Sequence, residues 1–148
     1  MRIIVDADAT PNIKEIIELG NKYQKETLLI SDDSHQLKYE NATIITVESG
    51  SQNADIKLIN LIKENDIVIT QDYGVAAIAL SKKCQAINPS GLIYTNSNID
   101  QLLATKHLTN KLRKNKIHIK GPKKRTKETK DLFLNNLKNM IKNQNNMI

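Results

Sequence analysis

The sequence predicts an α/β protein in which a mainly parallel sheet is covered by helices on both faces. Three observations carry this. The first and fourth apolar runs, IIVD and DIVIT, contain no polar alternation, as strands buried on both faces require. Helical patterns alternate with such runs throughout residues 1–95. Acidic residues stand where the first and fourth runs end, and in parallel sheets ligands bind outside the carboxyl ends of the strands.

Residues 2–6 are the expected first strand. Thr10 is placed to cap a helix and Pro11 to sit in its first turn, where a missing N–H is no loss. Ile13, Ile16, Ile17 and Leu19 form that helix's apolar stripe, which ends near Gly20. A second strand is expected over 27–30, a polar loop over 31–35 and a third strand over 42–47. Ser49-Gly50-Ser51 turns into a helix over 52–63. The fourth strand covers 66–70, with Asp66 entering from solvent, and a short Ala-rich helix covers 75–82. Strands over 85–87 and 92–94 flank Asn88-Pro89-Ser90-Gly91. An amphipathic helix follows over 96–114, with Ile99, Leu102, Leu103, Leu108 and Leu112 inward. Gly121-Pro122 interrupts it. A last helix over 126–143 points Leu132, Phe133, Leu137 and Ile141 inward, and the final residues are expected to fray. Length favours one domain over 1–148, with an α/β core over 1–95 and a basic helical extension over 96–148.

Composition excludes several classes. Cys84 is the single cysteine, so neither an intrachain disulfide nor a Cys-based zinc site can form. It is expected to be a small buried residue. No apolar run is long enough to cross a bilayer. Asp6 and Asp8 interrupt the first apolar segment, unlike a signal peptide, so a cytoplasmic protein with no membrane partner is expected. The net charge of +6 conceals an asymmetry. Residues 1–105 hold 9 Lys/Arg against 14 Asp/Glu, whereas residues 106–148 hold 13 against 2. An acidic body beside a basic tail suggests clustered carboxylates next to a segment that attracts polyanions.

Asp6, Asp8 and Asp72 come from strand ends. Asp55 falls about 40° from Ile59 on its helix at 100° per residue, so it faces the protein, where a carboxylate needs a partner. Such acids suit magnesium or manganese, hard ions that take oxygen ligands. Plainer roles exist for each: loop caps for Asp6 and Asp8, a turn acid or helix cap for Asp72, a first-turn helix acid for Asp55. Asp32 and Asp33 read as a solvated turn. VDADAT also fits the DxDx[TV] start of haloacid-dehalogenase-type phosphatases, with Asp6 as nucleophile, Asp8 as acid/base and Ser31 as the phosphate-binding hydroxyl. Against this, no acid follows Asp72 closely, and the chain has no room for the usual cap insert.

Four stretches together resemble a known family: IIVDADATP (3–11), DIVITQDYG (66–74), GLIYTNSNIDQLL (91–103) and KGPKKRT (120–126). In order and spacing they are similar to the bacterial YaiI/YqxD family of uncharacterised proteins related to PIN-domain nucleases. The resemblance implies a PIN-like three-layer α/β/α sandwich with a central mainly parallel sheet. It also implies a magnesium- or manganese-binding acid cluster. Asp6 matches the strand-one acid, Asp72 the acid after strand four, Asp55 the acid on the intervening helix, and Asp8 an added acid of this family. Thr10 stands where the family usually has Cys, which argues against thiol chemistry. Gln52 and Asn53 stand where it commonly has an acid, which leaves this site one carboxylate poorer.

Residues 106–130 contain 11 Lys/Arg and one acid, Glu128. Lys111, Arg113, Lys114, Lys120, Lys123, Lys124 and Arg125 are the candidate phosphate contacts. A solvated helix face would be the plain alternative. Thr126 could cap the last helix, while His107 and His118 read as surface residues. Few aromatics accompany the tail, so base stacking is not supported. The expected function is metal-dependent phosphodiester hydrolysis by Asp6, Asp8, Asp55 and Asp72, on RNA ahead of DNA, although the tail itself does not distinguish the two. The alternative is an RNA- or ribosome-binding module without catalysis. The sequence leaves room for a homo-oligomer.

Overall fold

The computed structural model describes residues 1–146 apart from 35, 51, 117 and 119–123. Among the described residues, six strands form one sheet: β1 (Ile3–Asp6), β2 (Thr27–Asp32), β3 (Thr43–Val47), β4 (Ile67–Ile69), β5 (Gln85–Ile87) and β6 (Ile93–Tyr94). Five α-helices accompany them: α1 (Ile13–Lys22), α2 (Asn53–Leu61), α3 (Tyr73–Ser81), α4 (Ile99–Lys114) and α5 (Lys127–Asn146). The strand order is β3-β2-β1-β4-β5-β6. All neighbours are parallel except β5 and β6. The order reverses between β1 and β4, because the chain leaves β3 at one edge and returns through α2 to the far side of β1. Such a switch point opens a crevice at the carboxyl ends of the two strands.

Period-two alternation sends the strand residues into two cores. Ile3, Val5, Leu29, Ile67 and Ile69 pack with Ile13, Ile16 and Ile17 of α1 and with Phe133, Leu137 and Ile141 of α5. Ile4, Leu28, Ile30 and Val68 pack with Leu58 of α2, Val75, Ala76 and Ala79 of α3, and Ile99 of α4. The result is the expected three-layer α/β/α sandwich. Two glycines permit close approaches. A Cβ on Gly20 would lie 2.6 Å from Thr27 Oγ1, and Gly91, at φ +99°, turns the chain into β6 under Leu132. Cys84 is buried, as expected, with its Sγ 3.1 Å from the carbonyl of Lys63. No described helix is long and apolar enough to cross a membrane.

Several expectations need correction. Neither Thr10 nor Pro11 opens α1, which starts at Ile13 with Asn12 left-handed at its N-cap. Thr10 Oγ1 instead donates to the carbonyl of Asp6 at 2.7 Å, closing the 3-10 turn Ala7–Ala9 that follows β1. Leu108 is 57% exposed and Leu132 52%. α4 buries only Ile99 fully, and in α5 the core stripe runs through Phe133, Leu137, Met140 and Ile141, one residue round from Leu132. Ser31 and Asp32 extend β2 rather than forming a loop. Gly121 and Pro122 lie outside the described residues.

Asp66 is the largest departure, since it is 2% exposed rather than at the solvent edge. Its carboxylate accepts from Arg2 Nη2 at 2.7 Å, Arg2 Nε at 3.3 Å and the N–H groups of Arg2 at 3.1 Å and Lys63 at 2.8 Å. Arg2 Nη2 also donates to the carbonyl of Leu61 at 3.0 Å. This pair ties the start of β1 to the entry of β4. Removing Arg2 leaves the buried Asp66 carboxylate without its charge partner, a loss of about 3–5 kcal/mol, whereas well-packed apolar replacement of both can be neutral. Arg2→Met should therefore lower unfolding free energy by about 3 kcal/mol in urea titrations. The joint change Arg2→Met with Asp66→Leu should recover most of that loss.

Candidate functional site

The carboxyl ends of β1 and β4 bring the predicted acids to one edge. Asp6 ends β1 and Asp72 caps α3, just beyond β4. The two are connected by Thr70, which is fully buried. Its hydroxyl accepts from the N–H of Asp72 at 3.0 Å and is near enough to the carboxylate of Asp6 to favour its ionised form. Asp72 Oδ1 accepts from the N–H of Val75 at 3.1 Å, so the cap role and a place in the site coexist. Thr70 is held in turn by buried Tyr94, whose hydroxyl donates to the Thr70 carbonyl at 3.0 Å and accepts from Asn88 Nδ2 at 2.7 Å. Gln71 Nε2 donates to the carbonyl of Ala9 at 2.6 Å, which locks the loop after β4 to the loop after β1.

Asp6 is half-buried. Burial first, and then the charges of Asp55, Asp8 and Asp72, push its pKa from 3.8 up to about 6, against the opposing effect of Thr70. Asp55 is also raised, by burial and by Asp72, with Lys106 opposing. The four acids predicted from sequence therefore share one electrostatic environment. Asp8 lies on its β2 side. Ser31 Oγ donates to Asp8 Oδ1 and the N–H of Asp32 to Oδ2, both at 2.9 Å. The Ser31 hydroxyl that a phosphatase would turn to phosphate is thus directed at Asp8.

Carboxylates alone are the hard-oxygen donor set that magnesium and manganese take, and magnesium commonly uses one or two of them and keeps its waters. Among the described residues, no three His, Cys, Asp or Glu converge closely enough to hold one ion together. A single cation at this edge would meet no more than two of these carboxylates and would keep the rest of its shell as water.

Two adjoining grooves meet this edge at Gln71, Asn88 and Ser90. One, about 460 Å³, runs under α4 past Tyr73, Lys106 and Arg113. The other, about 550 Å³, runs toward α5 past Pro11, Lys124 and Arg125. The basic candidates therefore separate. Arg113 and Lys124 line the grooves, while Lys111 and Lys114 line a shallow hollow with His107 on another side of α4. Lys120 and Lys123 lie outside the described residues. Arg125 is turned inward. Its Nε and Nη2 donate to Asn12 Oδ1 at 3.1 and 2.8 Å, its Nη1 to the carbonyl of Pro89 at 2.6 Å, and its guanidinium stands 5.8 Å from the centre of the Phe133 ring. Thr70, Gln71, Tyr73, Asn88 and Lys106 were not expected here. Only their closeness to Asp72, for the first three, was a signal in the sequence.

The model of an uncharacterised bacterial family, YaiI/YqxD, matches residues 4–143. A UPF0178 protein of Clostridium novyi is 45% identical over 95% of both chains. Others from Clostridium kluyveri and Lachnoclostridium phytofermentans are 41% and 44% identical, covering 97% and 96% of this chain and 94% and 97% of theirs. No solved structure matches.

The raised pKa of Asp6 has a definite sign in stability. Unfolded, Asp6 ionises near 3.8; folded, near 6. Its contribution is intact below about pH 4 and is lost as pH rises through about 6. Asp6→Asn should leave stability at pH 4 unchanged and raise it at pH 8 by about 2 kcal/mol, measured by denaturant titration in EDTA.

Proposed function

The chain belongs to the YaiI/YqxD family of uncharacterised proteins, and from that premise we propose that it is a metal-dependent nuclease, with RNA as its first substrate class. The observation that carries this is the meeting of mutually repelling carboxylates with basic grooves at the β1/β4 switch point. A phosphodiester brought there by Lys106, Arg113 and Lys124 would be repelled by Asp6, Asp8, Asp55 and Asp72 unless a cation intervened. Magnesium or manganese, held by no more than two of Asp6, Asp8, Asp55 and Asp72 at once and otherwise by its own waters, would supply a water of lowered pKa and offset charge on the leaving oxygen.

The protein's own groups have separable tasks. Thr70 favours the ionised form of Asp6, and the Val75 N–H holds Asp72 in place. Asp6 would have to give up its proton to bind a cation, so affinity for one would rise through about pH 6. Lys106 and Arg113 contact phosphates on one side and Lys124 on the other. Arg125 positions the loop at Asn12 rather than the substrate.

A second reading is favoured by the spacing of the acids, no three of which converge among the described residues. In that reading the chain binds RNA without cutting it, and binding is sensitive to salt but not to chelator.

The decisive assay is cleavage of single-stranded and structured RNA in manganese. Asp6→Asn and Asp72→Asn should each lower the rate at least about a hundredfold, since Asn retains the hydrogen-bond acceptor but not the charge. EDTA should abolish cleavage by the wild type. Equal rates in all three proteins would overturn the nuclease reading.

A further inference from the structure

The groove under α4 contains more than phosphate binding requires. Tyr73 lines it, half-buried, beside Gln71, Asn88, Lys106 and Arg113. The ring is braced by Tyr94, with centroids 5.9 Å apart and planes at 69°. Tyr94 is itself 2% exposed and bonded to Asn88 and Thr70, so the brace is rigid. The exposed side chain of Lys106 stands over the Tyr73 ring, with Nζ 5.9 Å from the centroid. An exposed ammonium over a ring is weakly held and yields to a planar group that stacks better. The groove's 460 Å³ lies within the range of small-ligand sites, about 300–1,000 Å³.

We propose that this groove holds one unpaired nucleotide of a single-stranded nucleic acid, with its base stacked on Tyr73 and its phosphates on Lys106 and Arg113. The proposal rests on the nucleic-acid reading above and deepens it. Tyr73 directly follows Asp72, so the stacked nucleotide neighbours the phosphate presented to the acids. Lys106 leaves the ring for a phosphate as the base enters. A duplex keeps its base faces stacked internally, so the groove selects single strands. RNA and DNA offer the same base face, and the sugar does not enter the argument.

The test is fluorescence anisotropy with the full chain in magnesium, over times short of turnover. The probes are a labelled single strand of RNA, the same strand in DNA, each annealed to its complement, and a strand with abasic sugars throughout. The wild type should bind intact single strands about tenfold or more tighter than duplex or abasic strands. Tyr73→Phe should keep that preference, and Tyr73→Leu should reduce intact strands to the abasic level. Equal affinity of the wild type for intact and abasic strands overturns the proposal without relying on any variant. So does a Tyr73→Leu protein that binds like wild type. If manganese-dependent cleavage survives either result, stacking alone has failed; if the wild type binds no probe, the nucleic-acid reading fails with it.

Discussion

The buried pair of Arg2 and Asp66 is the constraint on which the rest of the structure depends. A carboxylate with 2% exposure is tolerated only when charge and hydrogen bonds are supplied to it. Arg2 provides both, from backbone and side chain together. That arrangement is available only if the start of β1 lies beside the entry of β4. The parallel register follows, with Ile3 opposite Ile67 and Val5 opposite Ile69. Three residues further along, the same two strands release Asp6 and the Thr70–Asp72 turn at one edge. An ion pair at the amino end of the sheet thus determines which acids meet at the carboxyl end.

At that edge two opposing requirements meet. The acids repel one another, and Asp6 bears the effect because it is half-buried and within reach of the charges of the other three. The grooves beside them are basic, and Lys106 links the two fields, opposing the rise in the pKa of Asp55 while standing over Tyr73. The loops that carry the acids are held by neutral groups: Thr10 on the Asp6 carbonyl, Gln71 on the Ala9 carbonyl, Tyr94 on the Thr70 carbonyl. Arg125 belongs with these. It lies within the most basic stretch of the chain, yet its bonds to Asn12 and Pro89 tether the tail to the loop after β1. Asn12 is left-handed at φ 63°, a conformation that Asn tolerates better than most residues, and the Arg125 fork is what its side chain meets there.

Much of this was legible in the sequence. Uninterrupted Ile and Val in residues 3–5 and 67–69 announce buried parallel strands, because a strand with helices on both faces has no polar side. Strand ends followed by Asp are visible for the same reason. Helical periodicity turned Asp55 toward the protein, and the family resemblance matched it to the same group of acids. Other features were not legible. Asp66 and Asp72 are both acids at a boundary of β4, and local pattern places Asp72 at the carboxyl edge and Asp66 in solvent; only the arrival of Arg2, 64 residues away, reveals Asp66 as buried. Thr10 has the composition of a cap, but its hydroxyl found a nearer carbonyl. Leu108 and Leu132 satisfy a helical stripe yet remain exposed, since the stripe's phase is set by which neighbours the helix packs against.

The sequence by itself determined the sandwich, the edge at which acids gather, and the opposition of an acidic body to a basic tail. These depend on hydrophobic period and charge sign, which are local. Tertiary structure decided which basic residues face the acids. It turned Arg113 and Lys124 toward the grooves, Lys111 and Lys114 away, and Arg125 inward. It also set Tyr73 against Tyr94 beside Lys106. A side chain's partners depend on helix rotation and strand order, and those are settled only when distant segments pack together.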